Sequence, residues 1–195
     1  EAIKDLSTDK KIGSFYFREN NFCFNRDRVI YFCNGLLNMG LNLEWKCEAS
    51  TKDLDYPLME LMKRSRLKEL YIGFETGSKR LLPFLKPGFD LSKSIAVIKW
   101  CHELGISIHG SFLVGTPYET KDDIKENEDF VATYLRGNEY QPNIYVGIQG
   151  AKMYDELIAS GNYQYKNELG FVYLHGHNDR VRKYYSNHQR CLIPN

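Results

Sequence analysis

Apolar and polar positions along this chain switch repeatedly between a two-residue and a roughly four-residue period. Ile12–Phe17 is aromatic-rich and reads as a buried strand, and Arg18-Glu-Asn-Asn21 behind it is turn chemistry. Val29, Phe32, Leu36 and Leu37 follow at helical spacing, opened by Asn25 or Asp27 as a cap and closed near Gly40. Leu41–Glu48 alternates, with Leu43, Trp45 and Cys47 on one side, and is the second strand. Asp55-Tyr-Pro57 starts a helix whose proline sits in the first turn, where its missing amide costs nothing, and which stops near Arg66. Lys68–Glu75 is the third strand. Ser78 caps a short helix through Leu81, Leu82 and Leu85 that Pro87-Gly88 ends. Asp90 or Ser92 opens a longer helix carrying Ile95, Ile98, Cys101 and Leu104 up to Gly105.

Ile106–Val114 makes a fourth strand and runs into Gly115-Thr-Pro-Tyr-Glu-Thr120. Thr120 with Asp123 resembles a capping box for a helix carrying Ile124, Phe130 and Leu135. Asn143–Ile148 is expected as the fifth strand, and Lys152–Ser160 as a helix closed by Gly161. Glu1–Asp9 reads as the end of a helix, with Ile3 and Leu6 on one face. Strand and helix thus alternate at spacings that suit βαβ crossovers, which predicts an α/β fold with a parallel sheet or partial barrel. Residues 1–161 form the expected barrel domain. Residues 162–195 lose the pattern and read as an irregular C-terminal extension with one helix near Arg180–Tyr185.

Composition narrows the classes. Lys plus Arg number 26 against 25 for Asp plus Glu, so no overall field favours nucleic acid or an anionic membrane. No apolar run approaches the roughly 20 residues that span a bilayer, and no signal-peptide pattern opens the chain, so the expected location is the cytoplasm. The five cysteines lie far apart, with no Cys-x2-Cys or Cys-x3-Cys pair, so the chain carries no zinc or iron–sulfur motif of its own. Cys47 and Cys101 fall in apolar patterns, where cysteine packs as a small core residue. His175-Gly-His177 lacks an evident third metal ligand.

The candidate chemistry lies where the strands end. Glu19-Asn20-Asn21, Glu48, Glu75-Thr-Gly-Ser78, Gly115-Thr-Pro-Tyr-Glu119 and Gln149-Gly150 follow the five strands in turn. In a parallel sheet these tips share one edge, the edge at which α/β folds bind ligands. Glycines flank Glu75 and a helix starts at once, so ligand contact is expected there. Ser78 and Thr120 also read as helix caps, His109 as an interior histidine, and Lys86 as a solvated cation at a helix end.

Phe17-Arg-Glu-Asn-Asn-Phe22 with Asn25, Trp45-Lys-Cys-Glu48, Ile72-Gly-Phe-Glu-Thr-Gly-Ser78 with Lys86-Pro-Gly88, and Gly110-Ser-Phe-Leu-Val-Gly-Thr-Pro-Tyr-Glu-Thr120 stand in an order that resembles the radical S-adenosylmethionine enzymes. The nearest variety is the cobalamin-linked type, similar to the oxidative cyclases of Mg-protoporphyrin monomethyl ester. The resemblance implies a partial (β/α)6 TIM-like barrel, here reduced to about five parallel strands with flanking helices. It implies S-adenosylmethionine and a [4Fe-4S] cluster in the full-length protein, with cobalamin as a further cofactor. Because the cysteine loop of that family is missing, it also implies a piece that begins after the loop, is inactive alone, and works with an upstream domain of the same protein.

Carried over position by position, the resemblance assigns to the cofactor Glu19, Asn20, Glu48, Glu75, Ser78, Ser111, Gly115 and Pro117. Glu75 falls beside the methionyl or ribose part, and Ser111–Gly115 beside the adenine. Ser50 stands where the family often has arginine, and Gln149-Gly-Ala151 where it has Pro-Gly-Thr. The expected reaction is methylation or oxidative cyclisation of a small or tetrapyrrole-like substrate. The alternatives are a methylthiotransferase acting on transfer RNA, against which the balanced charge speaks, and a non-catalytic α/β module that binds a small molecule.

Overall fold

In strand after strand an apolar residue alternates with a polar one, and the fold follows from where those two faces go. The computed structural model describes residues 3, 12–161, 163–166 and 172–174. Five strands, β1 (Ser14–Phe17), β2 (Glu44–Ala49), β3 (Leu67–Glu75), β4 (Ser107–Val114) and β5 (Glu139–Ile144), pair in sequence order in one wholly parallel sheet. Helices α1 (Arg26–Met39), α2 (Tyr56–Arg64), α3 (Leu82–Leu85), α4 (Leu91–Leu104) and α5 (Lys121–Tyr134) lie in the connections between successive strands, the arrangement of a partial (β/α) barrel, and α6 (Lys152–Ser160) follows β5. A short antiparallel pair, β6 (Tyr163–Lys166) and β7 (Val172–Leu174), follows. The expected helices at Glu1–Asp9 and Arg180–Tyr185 lie outside the described residues, apart from Ile3.

The local chemistry places the helix ends. Asn25 and Asp55 accept from the amides of Arg28 and Leu58, and Gly40 closes α1 in the left-handed region at φ 62°. Thr120 and Asp123 form the reciprocal capping box of α5. One face of the sheet meets the helices. Leu43, Trp45, Cys47, Leu70, Ile72, Ile108 and Phe112 are fully buried there. Phe17, Phe22, Phe32 and Trp45 pack as an aromatic cluster, with ring centroids 4.6 Å apart for Phe17–Phe22 and 5.1 Å for Phe32–Trp45.

One strand departs from the sequence reading. The fifth runs over Glu139–Ile144, four residues earlier than the apolar run 143–148 suggests. Its register pairs His109 with Glu139, Ser111 with Gln141 and Leu113 with Asn143, so one face of the strand is polar. Pro142 is tolerated because, among the described residues, β5 pairs with β4 alone. Gln149-Gly150 therefore lies beyond the strand tip, in a turn.

Candidate functional site

The sheet's second face is lined with polar and aromatic residues in rows set by the register. Glu48, Tyr71, His109 and Glu139 are lateral neighbours across β2 to β5, and Gly73, Ser111 and Gln141 form the next row toward the strand ends. Over these rows lies a cleft of about 650 Å³, within the usual range for small-molecule sites. All five strands contribute to it, and Arg18, Asn20, Asn21, Ser50, Lys52, Lys86 and Phe89 complete its rim.

Glu75 is held in an uncommon conformation. Its φ of 64° puts a non-glycine residue in the left-handed region, and the pairing of β3 with β4 shifts between Gly73 and Glu75. The turn swings the carboxylate back over its own strand. A Cβ added to Gly73 would lie 2.5 Å from Glu75 Oε1, so the glycine is the space that the carboxylate uses. Lys86 fixes it there. Its ammonium donates to the Gly73 carbonyl at 2.5 Å, stands 3.4 Å from Glu75 Oε1, and sits over the Phe89 ring at 4.2 Å. Burial lowers the Lys86 pKa from its usual value, with Glu75 opposing the shift.

The Tyr16 hydroxyl donates to Glu48 at 2.7 Å, and burial, then this carboxylate, raise its pKa above the usual phenol value. Its ring stacks on Tyr71, which stacks on His109, at centroid distances of 4.8 and 4.7 Å. Asn21 accepts from the Ser50 amide at 3.2 Å, while the buried Ser50 Oγ has no hydrogen-bond partner among the described residues. Asn143 donates to Ser111 Oγ at 2.9 Å.

Of the residues assigned from sequence, Asn20, Glu48, Glu75 and Ser111 come together around this cleft. Glu19 instead pairs with Arg28 on α1 at 2.9 Å. Ser78 is fully buried and donates to Asp123 at 2.6 Å, and the Gly115 amide donates to Glu119 at 2.8 Å; neither they nor Pro117 line the cleft. Asp123 also receives Arg80 and Thr120. Burial would raise its pKa, but these donors together hold it well below the usual carboxylate range. Lys86 corrects the expectation of a solvated cation: its side chain is only 20% exposed and belongs to the site. Its place beside the acid comes from a chain reversal through α3, which periodicity does not reveal; Lys86-Pro-Gly88 as a block of the resemblance was the one signal for it. Tyr16 and Tyr71 were hidden as ordinary aromatic strand residues.

Residues 22–131 match the family model described as the radical SAM superfamily, more than half of the chain. This chain belongs to the radical SAM superfamily. An uncharacterized methyltransferase of Pyrococcus horikoshii is 25% identical over 160 residues, covering 82% of this chain and 35% of that protein. The anaerobic magnesium-protoporphyrin IX monomethyl ester cyclase of Cereibacter sphaeroides is 22% identical over 148 residues, 74% of this chain and 23% of that protein. The chain therefore spans about a quarter to a third of the length of these curated relatives. In fold it is similar to the radical S-adenosylmethionine methyltransferase TsrM from Kitasatospora setae, solved with cobalamin and a [4Fe-4S] cluster bound. The TM-score is 0.78 at 12% identity, over 98% of this chain and 45% of that one.

The donor set of this radical SAM chain fits S-adenosylmethionine. Glu48 and Glu75 suit a sulfonium, an ammonium or ribose hydroxyls, Arg18, Lys52 and Lys86 suit a carboxylate, and Ser50 Oγ is a hydroxyl unused among the described residues. The described cysteines do not fit an iron–sulfur cluster. Cys23, Cys33, Cys47 and Cys101 are all buried, and Cys47 lies on the face of β2 opposite Glu48. Burial pushes the Cys33 thiol up to about 11 and that of Cys101 up to about 12, away from the thiolate that iron needs. Among the described residues, no helix is long and apolar enough to cross a membrane.

Proposed function

We propose that this chain is the S-adenosylmethionine-holding part of a radical enzyme that methylates or oxidatively cyclises a small or tetrapyrrole-like molecule. In this reading the cluster ligands, and a cobalamin domain where there is one, belong to other parts of the same protein, and the 195 residues alone are inactive. The observation that carries the proposal is Glu75, turned into the cleft at positive φ and locked by Lys86. Strained backbone of this kind costs of order 1–3 kcal/mol and persists where a site needs it.

S-adenosylmethionine, when bound, would supply the radical or methyl-transfer chemistry. The chain's own residues bind and orient. Glu75 and Glu48 would accept hydrogen bonds from the ammonium or ribose hydroxyls, and Lys86 holds the Glu75 carboxylate in place. Ser111, oriented by Asn143, meets the base. The Tyr16–Tyr71–His109 stack forms a wall that limits water, and the Tyr16 hydroxyl is committed to Glu48 rather than to the cleft.

Calorimetric titration of the 195-residue protein with S-adenosylmethionine tests the reading. Saturable binding is expected, weakened about 10- to 150-fold in Glu75→Gln, the cost of a hydrogen bond to a charged group. Absence of binding, or a Glu75→Gln variant that binds as tightly as the parent, overturns it. Incubation with iron and sulfide is expected to leave the protein without a [4Fe-4S] absorption band.

A further inference from the structure

Below the aromatic stack, toward the N-terminal ends of the strands, Glu69, His109 and Glu139 converge from three adjacent strands. One ligand atom from each lies within 4.8 Å of the other two. His109 Nδ1 stands 3.4 Å from Glu139 Oε2, yet this buried nitrogen has no hydrogen-bond partner among the described residues. The two atoms are close without the geometry of a hydrogen bond. Their spacing is instead that of two atoms each about 2.1 Å from a tetrahedrally ligated ion, which lie roughly 3.4 Å apart. Stacking on Tyr71 at 4.7 Å and 22° holds the imidazole plane, as a preformed ligand requires.

We propose that Glu69, His109 and Glu139 bind a divalent first-row transition ion, zinc foremost. One imidazole nitrogen with two carboxylate oxygens suits such an ion. The imidazole argues against magnesium or calcium, and the lack of a thiolate against copper(I). Two carboxylates neutralise the dication. The Lys46 ammonium is now paired with Glu69 and must release that oxygen to the ion, which its 39% exposed side chain permits. The Glu139 carboxylate, on a side chain 60% exposed, already stands at 3.4 Å from the His109 nitrogen. His109 also lines the cleft, so the coordination position left open faces it and takes water or an oxygen of a bound carboxylate or hydroxyl compound. Glu69 and Glu139 are not cleft-lining residues, and the inference does not rest on binding of S-adenosylmethionine.

Cobalt(II) and zinc titration of the 195-residue protein decides it. Expected are one equivalent of bound metal and a cobalt visible band of nitrogen–oxygen type without thiolate charge transfer. His109→Ala and Glu139→Gln are expected to weaken binding at least about 10-fold. Lys46→Met is expected to tighten it by freeing a Glu69 oxygen. Glu139→Gln, at an exposed side chain, keeps the test valid should His109→Ala fail to fold. Binding that is absent, that survives Glu139→Gln unchanged, or that shows a thiolate spectrum overturns the proposal.

Discussion

Replacing Gly73 by alanine separates ligand binding from folding. The new Cβ would fall 2.5 Å from Glu75 Oε1 and 3.5 Å from both Glu75 Cδ and Lys86 Nζ. Real Cβ atoms do not approach so closely, so the carboxylate must retreat by about 1 Å to reach van der Waals contact. At an effective dielectric near 20, lengthening the 3.4 Å ion pair by that amount costs about 1 kcal/mol. Gly73 is outside the left-handed region, so alanine fits its backbone and returns about 0.4–1 kcal/mol through the unfolded chain. The two terms nearly cancel, and the melting temperature is expected to stay within about 2–4 °C of the parent. Binding of S-adenosylmethionine loses its oriented carboxylate and is expected to weaken about 10- to 150-fold. Calorimetric titration and thermal unfolding read the two effects apart. A Glu75→Ala background sharpens the test, because there the added methyl meets open space and Gly73→Ala should cost nothing more. Additive losses in the double variant, or unchanged binding in Gly73→Ala, would refute the coupling.

Two further outcomes follow from buried groups. Asp123→Ala leaves the Ser78 hydroxyl, the Thr120 amide and Arg80 without their shared acceptor, and is expected to cost about 3 kcal/mol, or roughly 6–12 °C of melting temperature. Since the folded pKa of Asp123 is depressed, its contribution is present above the unfolded value near 4 and is lost as pH falls below it. Acid titration of stability should therefore be flatter in Asp123→Asn than in the parent. Cys23, Cys33, Cys47 and Cys101 are expected to resist a thiol reagent near neutral pH until denaturant is added, and mass spectrometry of rapid native labelling at any of them would contradict the core packing.

The fold was legible wherever one strand face is apolar and the other polar. In β2, Trp45 and Cys47 turn to the core while Lys46 and Glu48 share the opposite face, Glu48 lining the cleft, so the alternation states both strand and register. In β5 the same logic worked against the reading, because Glu139, Gln141 and Asn143 make the cleft face polar and Pro142 looks like a breaker. The apolar residues just beyond therefore drew the expected strand forward. At the site, the acids at strand tips were visible as residue types, but their directions depend on partners distant in the chain. Arg28 on α1 takes Glu19 outward, and Lys86, brought back by α3, holds Glu75 in. Ser78 could be seen as a cap; that Asp123, 45 residues later, buries it could not.

The same distinction orders the polar interior. Toward the strand ends, Glu75 is fixed by one half-buried cation that also satisfies a backbone carbonyl, leaving the other carboxylate oxygen available to a ligand. At the opposite end, Lys46 satisfies Glu69, but the His109 Nδ1 has no hydrogen bond among the described residues. Burying an unsatisfied polar atom costs about 1–3 kcal/mol, a penalty comparable to the backbone strain at Glu75. Between them the rings of Tyr16, Tyr71 and His109 are stacked without a gap, so a ligand at the mouth and an ion below would share His109 but no carboxylate. A fold with this much core could remove both costs by small substitutions, Glu75 to glycine and His109 to a residue without a buried ring nitrogen. Both lie on the cleft face and neither serves the packing of the helices, so the titrations with S-adenosylmethionine and with cobalt(II) each test one of these two costs.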